Sequence, residues 1–370
     1  MGKRGDREAV SLIYFLLVLS VLVLVHEFGH FIAAKWVGIR VERFSLGFGP
    51  KLFSIKRGDT EYQISAIPLG GYIKMSGDEP GEKITGKKFE FLSRSVWDRF
   101  MVIFAGPLLN YVLAFLIFSI IFMFGSPMLT TEVGSLLKDY PAEKSGLSLG
   151  DKVVKVDGKN VKYWEDMTGI IHKHLEGPIV LTVEKDGKVS EIKIQPLIRE
   201  AKDIFGKNVK IALLGIAPSQ RIENVRYGLL ESFSKGFRKL VDLTIITYKA
   251  MWSIVTGRLS VKESMTGPIG IFIITGKAAE MGLIYLFHLM AMLSASLAIF
   301  NLLPLPVLDG GHILFLFVEK LRGKPLSVKV QENIANAGVG LLILLTVFIF
   351  YSDIVKFGVF EHIIKFFRRA

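Results

Sequence analysis

Four long apolar runs constrain this chain more than any other feature. Residues 9 to 34 carry no charge except Glu27 and the titratable His26 and His30 beside it. At a rise of 1.5 Å per residue, such a run is long enough to cross a hydrocarbon core of about 30 Å. Comparable runs occupy about 100 to 125, 283 to 308 and 338 to 357. No small-residue cleavage site follows the first run, so a removed leader peptide fits it less well than a span. With 51% hydrophobic residues over 370 positions, the composition is high for a soluble chain. The reading is a polytopic α-helical membrane protein with four transmembrane helices.

The net charge of +12 does not point to nucleic acid. Lys and Arg are scattered over the loops, with no basic helix or base-stacking motif to collect them, and contact with the anionic head groups of a lipid bilayer accounts for the excess. The chain has no Cys, which excludes disulfides, thiolate ligands and thiol redox chemistry. Any metal ion must be held by His and carboxylates.

Four parts follow from the pattern: an N-terminal membrane part (1–126), a soluble insertion (127–222), a membrane-associated segment and linker (223–282), and a C-terminal membrane part (283–370). In the insertion, short alternating runs such as "KVVKVDG" and "IVLTVEKDG" replace the long apolar ones, and a helix is expected near 164 to 175. The stretch "YPAEKSGLSLGDKVVKVDGKNV" resembles a PDZ domain. That resemblance implies an inserted PDZ-like α+β domain whose carboxylate-binding loop is Leu214, Gly215 and Ile216. Such domains add a peptide to a sheet edge and capture its C-terminus; the other reading is a β-rich spacer that binds nothing. Residues 226 to 256 read as an amphipathic helix at the membrane interface, its charges leaving one apolar face. Residues 43 to 77 alternate on both sides of "RGDT" like a β-hairpin, and Gly47 and Gly49 permit close backbone approach.

The chemistry lies in "HEFGH", residues 26 to 30. Residues four apart share a helix face, so His26 and His30 can grip one ion, with Glu27 one step around and within reach of a water as general base. Ionisable groups inside an apolar span are costly and point to a function. Two histidines leave a catalytic zinc short of a third protein ligand. The candidate source is "NLLPLPVLDGGH", where Pro304 and Pro306 must unwind the span. Asp309 follows, with Gly310 and Gly311 allowing a tight bend, and His312 is the rival ligand. Asn110 and Asn301 are amides in apolar spans, able to meet a substrate carbonyl, to orient a ligand, or simply to bond between helices.

The pair "HEFGH" and "NLLPLPVLDGG", with "FSLGFGPKLFS", "IPLGGYIKMSG", "FAGPLLN" and "GPIGI" in order between them, resembles the site-2 protease family of intramembrane zinc metalloproteases. The resemblance covers nearly the whole chain. It implies one Zn2+ held by His26, His30 and Asp309, with Glu27 activating water. It also places Asn110, Asn301 and Pro304 near bound substrate and makes residues 43 to 77 a membrane-reentrant β-loop. The implied substrates are single-pass transmembrane proteins such as anti-sigma factors and remnant signal peptides, cut after an earlier protease has trimmed them. The implied location is the bacterial inner membrane, with the active site toward the cytoplasm and the PDZ-like domain outside, where it could take the C-terminus of a trimmed substrate. A different class remains open at this point: a membrane scaffold with a PDZ-like binding domain and a non-catalytic metal site.

Overall fold

The computed structural model describes residues 2–78 and 85–358. Among the described residues, four helices are long and apolar enough to cross a membrane: Ala9–Trp36, Val96–Phe124, Leu283–Asn301 and Val328–Lys356. The third is shorter than its apolar run. Its helix stops at Asn301, just before the two prolines, because neither can donate a helical hydrogen bond and each disfavours helix in the residue before it.

The elements in chain order begin with α1 (Gly2–Trp36), β1 (Val41–Arg57), β2 (Thr60–Met75) and α2 (Val96–Phe124). The insertion contains β3 (Ser126–Leu129), β4 (Val133–Leu136), β5 (Lys152–Val156), β6 (Lys159–Asn160), α3 (Trp164–Ile171), β7 (Ile179–Lys185), β8 (Lys188–Ile194), β9 (Leu197–Lys202), β10 (Asn208–Leu213), β11 (Ile216–Pro218) and β12 (Ile222–Val225). Then come α4 (Leu229–Val255), α5 (Val261–Ser264), α6 (Pro268–Met281), α7 (Leu283–Asn301), α8 (Asp309–Arg322) and α9 (Val328–Lys356). The chain divides into two compact units, one of residues 1–119, 233–248 and 260–370, the other of residues 120–232 and 249–259.

In the first unit, β1 and β2 form a long antiparallel hairpin closed between Arg57 and Thr60, with Gly58 at φ +58° in the turn. Its register breaks repeatedly between Arg43 and Lys51. Gly47 sits in that break at φ +91°, against the Ile67 and Ser65 carbonyls, where a side chain would have no room. Strand β2 runs over α1: Ser20 donates to the Pro68 carbonyl at 3.1 Å, and a Cβ at Gly71 would lie 3.3 Å from the Glu27 side chain. A buried cluster that includes Ala34, Ile39, Val41, Val102 and Leu316 joins α1, the start of β1, α2 and α8. Helix α4 lies against α2 through Gly236 on Ser119 and a 3.2 Å bond between Tyr111 and Thr244 hydroxyls. The contacts move backward along α2 as they advance along α4, so the two run in opposite directions.

The last span holds α6 in place. Asp353, fully buried on α9, accepts from the backbone N–H of Gly267 at 3.1 Å and of Gly270 at 2.8 Å. Pro268 needs no such partner, and a carboxylate suits the positive end of a helix.

The second unit is β-rich. A four-stranded antiparallel sheet runs β6-β5-β7-β8, while β3 pairs with β12, β4 with β11 and β9 with β10. Alternate residues of the strands point inward with α3: Val133, Val153, Met167, Leu181 and Leu214 belong to one buried cluster. Each such aliphatic side chain contributes about 1.5–3 kcal/mol by leaving water. The expected helix near 164 to 175 ends at Ile171.

Candidate metal centre and active site

Three side chains from two distant parts of the chain converge inside the first unit. His26 and His30 lie one turn apart on α1, and their Nε2 atoms are 3.2 Å apart. Asp309 is the first residue of α8; its Oδ2 is 3.2 Å from His26 Nε2, and its Oδ1 is 3.6 Å from His30 Nε2. Among the described residues this is the group of His and carboxylates that could hold a metal ion, with all ligand atoms within 4.8 Å of one another. His312, the rival ligand, does not belong to it, although it lines the same cavity.

Gly310 and Gly311 do not make the expected bend. Both lie within α8 and are buried. A side chain on Gly310 would run into the Leu302 and Leu303 carbonyls, and one on Gly311 into the Leu305 carbonyl and Pro306. Their smallness lets the unwound segment pack against the first turn of α8, which sets where Asp309 starts.

Helix α2 fixes the histidine rings. A carbonyl can only accept, so the 2.8 Å contact between His30 Nδ1 and the Val102 carbonyl puts the ring proton on Nδ1 and leaves the Nε2 lone pair facing Asp309 and His26. Pro107 in α2 has no N–H to give the Ile103 carbonyl, so the helical ladder is interrupted beside this bond. Gly106 leaves space for the ring: a Cβ there would collide with His30. Gly29 likewise lets α1 approach the Ala105 carbonyl. Asn110, fully buried, places its amide 3.4 Å from His26 Nδ1, while its own Oδ1 has no partner. Turning that amide over would let Oδ1 accept the His26 Nδ1 proton, freeing Nε2 in the same way.

This arrangement suits a cation. Two imidazole lone pairs and a carboxylate face one another at short range, and Asp309 Oδ2 is buried without a hydrogen-bond partner despite its closeness to His26. Acceptors gathered at such short range are stabilised by a shared positive ion, and a His₂-carboxylate set is a common catalytic zinc site. Glu27 accepts a hydrogen bond from the Ile73 backbone N–H of β2. It opens onto a cavity of about 510 Å³ shared with His26, His30, Asp309, His312 and Lys74.

Other candidate residues fall as follows. Asn301 ends α7 with its amide 3.5 Å from His26 Nε2. Pro304 lines a separate apolar groove with Pro306, Leu314 and Val330. Gly47 and Gly49 lie in the hairpin away from the lining of the metal cavity. Leu214, Gly215 and Ile216 line a pocket of about 130 Å³ in the second unit with Tyr140, Ile171 and His172. The two histidines of "HKH" differ: His172 is exposed, whereas His174 Nδ1 lies 2.9 Å from the Asp157 carboxylate. His288 packs edge-on against Phe118 at 5.5 Å.

A membrane-length helix carrying two buried histidines, joined by a carboxylate at the start of α8 and with a glutamate in the adjoining cavity, defines a membrane-bound metallohydrolase. The comparison with known families makes this specific. The model of peptidase family M50 matches residues 14–345, and the chain belongs to that family, the site-2 proteases, which are zinc metalloproteases. A provisionally named zinc metalloprotease of Agrobacterium fabrum is 35% identical over 357 residues, covering 92% of this chain and 94% of its own. A similarly named protein of Clostridium acetobutylicum is 33% identical, covering 93% and 97%. The zinc metalloprotease RasP of Geobacillus kaustophilus is 30% identical, covering 94% and 98%.

Proposed function

We propose that this chain is an intramembrane endopeptidase that cuts transmembrane segments of single-pass membrane proteins, using one zinc ion held by His26, His30 and Asp309. The observation that carries the reading is the convergence of Asp309 on His26, Glu27 and His30 of α1, a helix long enough to cross a membrane. Zinc at such a site supplies Lewis acidity, polarising a carbonyl and lowering the pKa of water. Glu27, steered by the Ile73 N–H, takes the proton of the attacking water and passes it to the departing amine. Asn110 and Asn301 reach His26; besides orienting the ring, such amides can donate to a substrate carbonyl whose negative charge grows during attack.

A helical substrate hides its peptide bonds and must unwind to be cut. The β1–β2 hairpin, running from the membrane part over Glu27, offers backbone for pairing with an unwound segment, and Gly47, Gly49 and the Pro304 loop are the proposed substrate contacts. The second unit is a PDZ-like domain, and its pocket at Leu214, Gly215 and Ile216 suits a C-terminal aliphatic residue of a trimmed substrate. Anti-sigma factors and remnant signal peptides are the substrate classes. The protein sits in the bacterial inner membrane, the metal centre toward the cytoplasm and the PDZ-like domain outside.

The test compares the purified chain with Glu27→Gln in detergent, measuring zinc content and cleavage of a transmembrane peptide. Zinc in both, with cleavage lost in the variant and under chelator, is the expected result. Cleavage that survives Glu27→Gln would overturn the assignment.

A further inference from the structure

Arg99 and Glu319 form a bidentate ion pair, Nη1 to Oε2 at 3.0 Å and Nη2 to Oε1 at 2.5 Å. Both side chains are shielded, with 7% and 15% exposure. Desolvation offsets much of the attraction in such a pair, so stability alone explains it poorly.

The two helices it joins suggest another role. Arg99, Val102, Gly106 and Asn110 follow one another at helical spacing along a single face of α2. Arg99 grips α8, the Val102 carbonyl holds His30, Gly106 makes room for its ring, and Asn110 lies at His26. Helix α8 begins with Asp309 and carries Glu319 about 15 Å further along its axis. Among the described residues no other ion pair links α2 to α8. The segment leading into α8 is unwound at two prolines. Gly310 and Gly311 pack on it at the near end, and Leu316 joins the buried cluster of α1 and α2, but such apolar contacts set no unique rotation or slide of the helix. A tether at the far end does.

We infer that Arg99 and Glu319 are a positioning pair for the metal centre: by docking α8 on the helix that seats both histidines, they keep the Asp309 carboxylate in the ligand set. The inference rests on the ligand assignment proposed above.

The test measures zinc affinity by competition with a fluorescent chelator, on the full chain in detergent, alongside thermal stability. Glu319→Gln should weaken zinc binding 10- to 100-fold, the usual effect of losing a group that orients ligands, with cleavage recovering at saturating zinc. The charge exchange R99E with E319R should regain most of that loss, and Arg99→Lys, which keeps the charge without the fork, should fall between. Arg221→Ala, which breaks an exposed pair with Glu132 in the second unit, should leave zinc affinity unchanged. If Glu319→Gln and Arg99→Lys lower the melting temperature but bind zinc as tightly as the unaltered chain, the pair is structural only and the inference fails. If the unaltered chain binds no zinc, the ligand assignment fails, and the inference with it.

Discussion

His30 donates its Nδ1 proton to the Val102 carbonyl at 2.8 Å, so a backbone atom of α2 decides which nitrogen of a residue on α1 is free to bind. A backbone acceptor survives any side-chain change at Val102. What can disturb the bond is a change in how closely the two helices approach.

Gly106→Ala should therefore act on the metal, although Gly106 offers no ligand. Its new Cβ would meet the His30 ring, with no flexible chain end to yield. Zinc affinity is expected to fall at least 10-fold, read by chelator competition. Gly340→Ala, with open space around it, is the matched control and should have no effect.

Removing the metal should lower stability, because an ion that binds only the folded chain stabilises it by mass action. At free zinc 100 times the dissociation constant this amounts to about 2.7 kcal/mol. Melting curves in detergent, with and without chelator, should separate. The separation should vanish in a chain carrying His26→Ala and His30→Ala.

Asp353→Ala should destabilise the membrane part by at least about 2 kcal/mol, since it strands two buried N–H groups that bonded to a charged acceptor. Asp353→Asn keeps one acceptor oxygen and should lose less. Denaturant unfolding followed by tryptophan fluorescence would rank the three chains.

The loop before α2 should loosen in acid. Glu90 accepts from the Thr85 hydroxyl, the backbone N–H groups of Thr85, Gly86 and Lys87, and the Ser93 hydroxyl. These bonds, the Thr85 hydroxyl foremost, hold its pKa below the ordinary carboxylate value. A depressed folded-state pKa means that the stabilisation is full above the unfolded value, near 4.5, and is lost as pH falls through the folded one. Hydrogen exchange over residues 85–93 should rise, relative to its intrinsic rate, on going from pH 6 to pH 3. In Glu90→Gln it should be raised already at pH 6 and respond little to acid.

Much of the site was legible because its chemistry is unusual for its setting. A glutamate between two histidines in an apolar helix, and an aspartate beyond a double proline in another, are costly without a purpose. The residues alone left Asp309 and His312 as alternatives, and it is Asp309 that the structure brings to the histidines. Gly310 and Gly311 were misread as a bend because glycine serves both turns and close packing, and only the neighbouring carbonyls distinguish the two. The β9–β10 hairpin escaped notice because β9, "LIREAK", is half charged and does not alternate, which left β10 without a visible partner. The pairing of Arg99 with Glu319 has no local signal at all, since two charges far apart in sequence meet only once their helices have packed.

The third ligand also has a temporal meaning. A ribosome makes His26, Glu27 and His30 before the whole second unit and Asp309 after it. Until α8 emerges and docks, the growing chain holds a base and two ligands but lacks the complete metal set. The order of synthesis thus makes completion of the set depend on the packing of α8.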